Sequence, residues 1–77
     1  MKYLIFETET GAKTRSAQEY LNRGGIGSDV TKYWWCWRET AAGTWALCIP
    51  ESAISGLSES EQSELVDEPQ WPVVDGV

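Results

Sequence analysis

The sequence predicts a small α+β domain: a β-α-β-β core, in which a three-stranded sheet carries one packed helix, followed by a short acidic C-terminal helix and an extended tail. Three observations predict it. An apolar run at Lys2–Thr8 leads directly into a capped amphipathic stretch. Two runs rich in aromatic and β-branched residues, Thr31–Thr40 and Thr44–Ile49, flank the short linker Ala41-Ala42-Gly43. The 77 residues are 42% hydrophobic and include five tryptophans, too many large apolar side chains for a disordered chain. Ordering a chain of this length costs about 115 kcal/mol at about 1.5 kcal/mol per residue, so the core has little margin. One domain over residues 1–68 with a tail at 69–77 is the expected organisation.

In the first strand Tyr3 and Ile5 point one way and Leu4 and Phe6 the other; both sets are apolar, which predicts a strand covered on both sides, central or parallel. Thr8 or Thr10 then caps a helix, with Glu9 at its positive end. The helix runs to about Arg23, with Ala17, Tyr20 and Leu21 as its buried stripe and Ala12 or Lys13 one turn earlier. Glu19 and Arg23 form an i,i+4 pair in the favourable order, and Gly24, Gly25 and Gly27 stop the helix. The linker Ala41-Ala42-Gly43 suits a three-residue hairpin loop whose last position is left-handed. If Thr40 faces Thr44, Trp35 faces Ile49, Trp37 faces Leu47 and Glu39 faces Trp45 on one side of the ribbon. On the other, Cys36 faces Cys48, Arg38 faces Ala46 and Trp34 lies near Pro50. Beyond Pro50, Glu51–Leu57 forms one helical turn. Ser58-Glu59-Ser60-Glu61 is a capping box that opens a helix to about Asp67, ended by Pro69. Residues 70–77, Gln-Trp-Pro-Val-Val-Asp-Gly-Val, read as extended.

Chemistry is constrained by what is missing. The sequence has no histidine, which removes the commonest general base and metal ligand. Cys36 and Cys48 have no base to activate them as nucleophiles. Their spacing is not that of a redox pair at a helix start, and two thiols do not close a zinc site. They read as a facing pair of small core thiols. Arg23-Gly-Gly-Ile-Gly27 follows a helix and precedes a strand, the reverse of a phosphate-cradling loop. Glu61, Glu64 and Glu68 would share one helix face, but the segment lacks the pattern of a calcium loop and has no cleft for a glycosidase pair. No enzyme activity, cofactor or metal is expected.

Net charge is −6, unevenly spread. Residues 1–38 carry all six bases and four acids; residues 39–77 carry eight acids and no base. Nucleic acid is a poor partner for such a chain, although Tyr33, Trp34, Trp35 and Trp37 between Lys32 and Arg38 could stack bases. The acidic surface of Glu59, Glu61, Glu64 and Glu68 is a solvated face or a docking site for a basic partner. Apolar runs of five residues are too short for a membrane span. The N-terminus lacks a signal-peptide core, so the chain is not expected to be secreted by that route.

One helix is a thin lid. It can cover Trp35, Trp37, Leu47 and Ile49, leaving Trp34, Cys36, Ala46, Cys48 and half of the first strand exposed, a forfeit of several kcal/mol at about 25 cal/mol per Å². That face needs a cover: the Glu51–Val77 segment, a second copy of the chain or a foreign partner. The sequence reading favours protein–protein contact through Trp34, Arg38, Trp71, Val73, Val74 and Val77, with another protein or a second copy as partner. Removing residues 69–77 is expected to weaken assembly and spare the fold.

The layout Met-Lys-Tyr-Leu-Ile-Phe-Glu-Thr-Glu at 1–9, Arg15-Ser16, Asp29-Val-Thr-Lys-Tyr-Trp-Trp at 29–35 and Ala46-Leu-Cys-Ile-Pro50 resembles short accessory proteins of tailed bacteriophages over most of residues 1–50. The resemblance carries no established activity and no functional residue. It implies a small virion component of capsid or tail, found in the virion or the host cytoplasm. The rival class is an acidic host-takeover or antidefence inhibitor that binds a basic host surface.

Overall fold

The computed structural model describes residues 1–25 and 35–73. Over these the chain forms β1 (Lys2–Phe6), α1 (Glu9–Asn22), β2 (Trp37–Glu39), β3 (Trp45–Ile49), α2 (Glu51–Ile54) and α3 (Glu59–Glu64). The α+β class and the three-stranded sheet with a packed helix are as the sequence predicts. The strand order is β1-β3-β2, with both pairings antiparallel. β1 and β2 therefore run parallel to each other with β3 between them, so β1-α1-β2 is a split β-α-β unit. β1 is not the central strand that its two apolar faces suggest. It is an edge strand, and its outer side is held by a single antiparallel pair, Tyr3 with Val66.

Local chemistry fixes the element ends. The Thr8 hydroxyl accepts from the Gly11 amide at 3.1 Å and caps α1. At the other end the Gly25 amide donates to the Tyr20 carbonyl at 2.8 Å. A Cβ on Gly25 would stand 2.1 Å from the Tyr20 ring, so any side chain there would force that ring to move. The hairpin has the expected register: Trp37 faces Leu47, Arg38 faces Ala46 and Glu39 faces Trp45. Thr40 donates its amide to the Thr44 carbonyl, the two hydroxyls meet at 2.7 Å, and Gly43 takes φ +82° to close the loop. β2 is shorter than the Thr31–Thr40 run: Trp35 and Cys36 lie outside the strand, and 31–34 fall outside the described residues, as does Gly27.

The core is Leu4, Trp35, Leu47, Ile49, Ala53 and Leu57, with Phe6, Trp37, Ile54 and Leu65 packed against it. α1 lies over this face, but its buried residues are Ala12, Ser16 and Glu19. Ala12 is buried as expected, but Ala17 and Tyr20 are only half-buried and Leu21 is 50% exposed. The reason is hydrogen bonding rather than hydropathy. The buried Ser16 hydroxyl accepts from the Trp35 amide at 2.9 Å and donates to the Trp35 carbonyl at 3.0 Å. It stands in for a strand partner where Trp35 enters the core ahead of β2.

Beside it, Arg15 joins three parts of the fold. Its guanidinium donates to Glu19 and to Glu61 at 3.0 Å each and lies 5.6 Å from the centre of the Trp35 ring. Arg23 also donates to Glu19. Burial alone would raise the Glu19 carboxyl, but the hydrogen bonds from Arg15 and Arg23 outweigh it and hold the group below its ordinary value. Glu61 is lowered first by its hydrogen bond from Arg15.

α2 forms where one helical turn is expected, and the Ser58–Glu61 capping box opens α3. α3 stops at Glu64 instead of reaching Asp67, because Leu65 turns to extended backbone and Val66 exchanges both hydrogen bonds with Tyr3. Lys2 then bonds Asp67. Glu68 is therefore not on the helix, and Glu61, Glu64 and Glu68 share no helix face.

Because Glu19 and Glu61 are lowered in the folded state, the unfolded chain takes up their protons first as pH falls. Their stabilisation is full above the ordinary carboxylate range, about 4.3, and is lost as pH falls through the lower folded values. Urea midpoints should hold from pH 7 to about 5.5 and fall below about 4.5. Arg15→Met should cost about 1–3 kcal/mol at pH 7 and flatten the acid limb. An unchanged acid limb in that variant would contradict the assignment.

Candidate functional site

The sheet face turned away from α1 carries Tyr3 and Ile5 from β1, Ala46 and Cys48 from β3, and Arg38 from β2, as pleat alternation requires. The C-terminal segment returns across it. After the Tyr3–Val66 pair, the Ala41 amide donates to the Gln70 carbonyl at 2.8 Å, which ties the segment to the hairpin loop. Trp71 then sits against the face. Its ring meets the Tyr3 ring edge-on at 5.5 Å, the Arg38 guanidinium lies 4.3 Å from its centre, and its indole N–H donates to Glu68. Such cation–π and edge contacts each contribute about 0.5–1.5 kcal/mol.

This changes the reading of the predicted site residues. Trp71 is half-buried on its own sheet rather than held free for a partner, and Arg38 lies over it. Residues 69–71 are thus part of the folded unit, and their removal would uncover the sheet rather than spare the fold. Of the other expected contact residues, Val73 is 88% exposed, while Trp34, Val74 and Val77 lie outside the described residues. In the acidic set, Glu59 and Glu64 are exposed, Glu61 is half-buried against Arg15, and Glu68 accepts the Trp71 N–H.

Closure is partial. Ala46 is 1% exposed, but Ile5 is 40% and Val66 37% exposed. Between the hairpin loop and the returning segment lies a cleft of 530 Å³ lined by Ile5, Thr40, Ala42, Val66, Pro69 and Gln70 among others. Its walls are mainly apolar, and the Glu68 carboxylate is among the groups that line it. The signal that sequence reading missed is the spacing from Val66 to Trp71. It lets one segment pair with Tyr3, bond the Ala41 amide and place an indole over β1 and β2.

Cys36, just ahead of β2, is tied to Cys48 on β3 by a backbone bond in which the Cys48 amide donates to the Cys36 carbonyl at 2.9 Å. They are not core thiols. Cys36 is exposed and Cys48 half-buried, and both are free. Burial pushes the Cys48 thiol up, the neighbouring Cys36 adds to this, and the N-terminus offsets it slightly. Tyr3 is likewise raised, by burial first and by Glu68 second.

Among the described residues no three metal-ligating side chains gather into a metal site, and no helix is long and apolar enough to cross a membrane. No family model, curated protein or solved structure matches the chain.

Alkylation kinetics at pH 7.5 should modify Cys36 ahead of Cys48, since the nucleophile is the thiolate and Cys48 is both shielded and raised. Equal rates, or Cys48 first, would contradict the described environments.

Proposed function

We propose that this chain works without catalysis, through protein–protein contact, as a small accessory component of a tailed-phage virion. The observation that carries the contact reading is the incomplete closure of the second sheet face. Ala46 is buried and Trp71 half-buried, yet Ile5 and Val66 stay in water at an apolar cleft, and Val73 is exposed. In a domain whose net stability is only a few kcal/mol, apolar side chains left wet around a formed cleft are better explained by a partner than by chance. The contact set is therefore narrower than the sequence suggests. It centres on Ile5, Val66 and Val73, with Arg38 and Trp71 as the rigid edge that shapes it. The virion assignment rests on the pattern at residues 1–50 that resembles phage accessory proteins.

Mass spectrometry of purified particles from a phage that encodes the chain tests this directly. The chain should be present at a fixed copy number, and Val66→Asp should reduce its incorporation at least about tenfold while leaving the free protein folded. Absence from the particle would overturn the virion assignment.

A further inference from the structure

The outer edge of β1 is open beyond its first pair. In an antiparallel sheet, backbone groups point alternately to the two sides of a strand. Those of Tyr3 leave β3 and are taken by Val66, whose amide and carbonyl exchange bonds with Tyr3 at 3.0 and 2.9 Å. The amide and carbonyl of Ile5 point the same way, and no hydrogen bond reaches them among the described residues. Continued pairing would place residue 64 beside Ile5, but Glu64 is the last residue of α3. The helix stands off the edge. Between it and the strand lies a cleft of 470 Å³ whose lining includes Ile5, Phe6, Val66, Glu7, Glu61 and Glu64.

We propose that this edge accepts a strand from a partner protein: an extended segment in which Lys or Arg alternates with aliphatic side chains. The backbone of Ile5 offers one donor and one acceptor in strand geometry, the basis of β-strand addition. Alternation then sends every second side chain of the incoming strand the same way. The apolar ones have Ile5 and Val66 to meet, which share the face turned away from α1, and the cationic ones have the Glu7 and Glu64 carboxylates that line the cleft. Both glutamates are exposed and neither forms an ion pair among the described residues. Glu61 is held by Arg15, so the cleft keeps surplus negative charge. A second copy fits poorly. It brings the same −6 net charge, and its own Val66 occupies the Tyr3 edge that symmetric pairing about Ile5 would use. This edge shares Ile5 and Val66 with the proposed contact face but not Trp71, and it does not depend on the virion reading.

The test uses the full ¹⁵N-labelled chain and two synthetic hexapeptides, Lys-Val-Lys-Val-Lys-Val and its Glu-for-Lys counterpart. The lysine peptide should shift the Ile5 and Glu7 amides, slow exchange of the Ile5 amide at least about tenfold at saturation, and bind at least about tenfold tighter than the glutamate peptide. Ile5→Pro, which removes a donor that the sheet does not use, should abolish binding. If that variant does not fold, Glu7→Lys with Glu64→Lys decides the matter by reversing the peptide preference. No saturable binding, equal binding of both peptides, or shifts centred on Arg38 and Trp71 would overturn the proposal. So would protection of the Ile5 amide that rises with protein concentration in the absence of peptide.

Discussion

β3 must be buried on both faces, and the described residues supply one substantial helix with which to do it. Leu47 and Ile49 face α1 and are fully buried, while Ala46 on the reverse face is as well sealed. The second seal comes from a segment without regular structure, held by one strand-like pair at Val66, one backbone bond at Gln70 and one indole. A small residue at position 46 is what lets so slight a cover suffice, since Cys48 and Ile5 on the same face remain partly open. Every other feature of the fold adjusts to this division of labour.

The charge distribution serves the same end. The C-terminal half carries only acids and the N-terminal half all the bases, and the contacts between them fasten the late segments onto the early ones. Glu61 reaches Arg15 on α1, and Asp67 reaches Lys2 on β1. The surface pair at Lys2 adds little on its own. The Arg15 contacts are more sheltered, lie over Trp35 and connect two helices to the core. The acidic half is thus partly structural, with Glu59 and Glu64 among the charges that solvent or a partner meets.

Features set by neighbouring residues were legible in the sequence: a helix cap at Thr8 or Thr10, which the structure places at Thr8, the Ser58 capping box, the register from Thr40 and Thr44, and the left-handed Gly43. Features set by distant partners were not. Ser16 belongs to the buried stripe because of Trp35, nineteen residues away, and hydropathy gives no hint of that. Glu19 is buried because Arg15 and Arg23 both donate to it, although only the Arg23 pair was read from spacing. α3 is cut short by the pull of Tyr3 on Val66, against a local pattern that favours helix to Asp67. Trp71 was recognised as an apolar group needing cover, but its partners Tyr3 and Arg38 lie on two different strands, and only the assembled sheet brings them together.

The sheet face turned away from α1 is closed halfway by the chain's own C-terminal segment. Nuclear Overhauser contacts in dilute solution test that state most directly. They should link the Trp71 indole to the Tyr3 ring and the Arg38 side chain, while the Val73 methyls show contacts only to their sequence neighbours. A Trp71 ring without those contacts would remove the inner half of the account. Val73 and Ile5 methyls packed against each other beneath a continuous cover would remove the outer half, and with it the reason to expect a partner on this face.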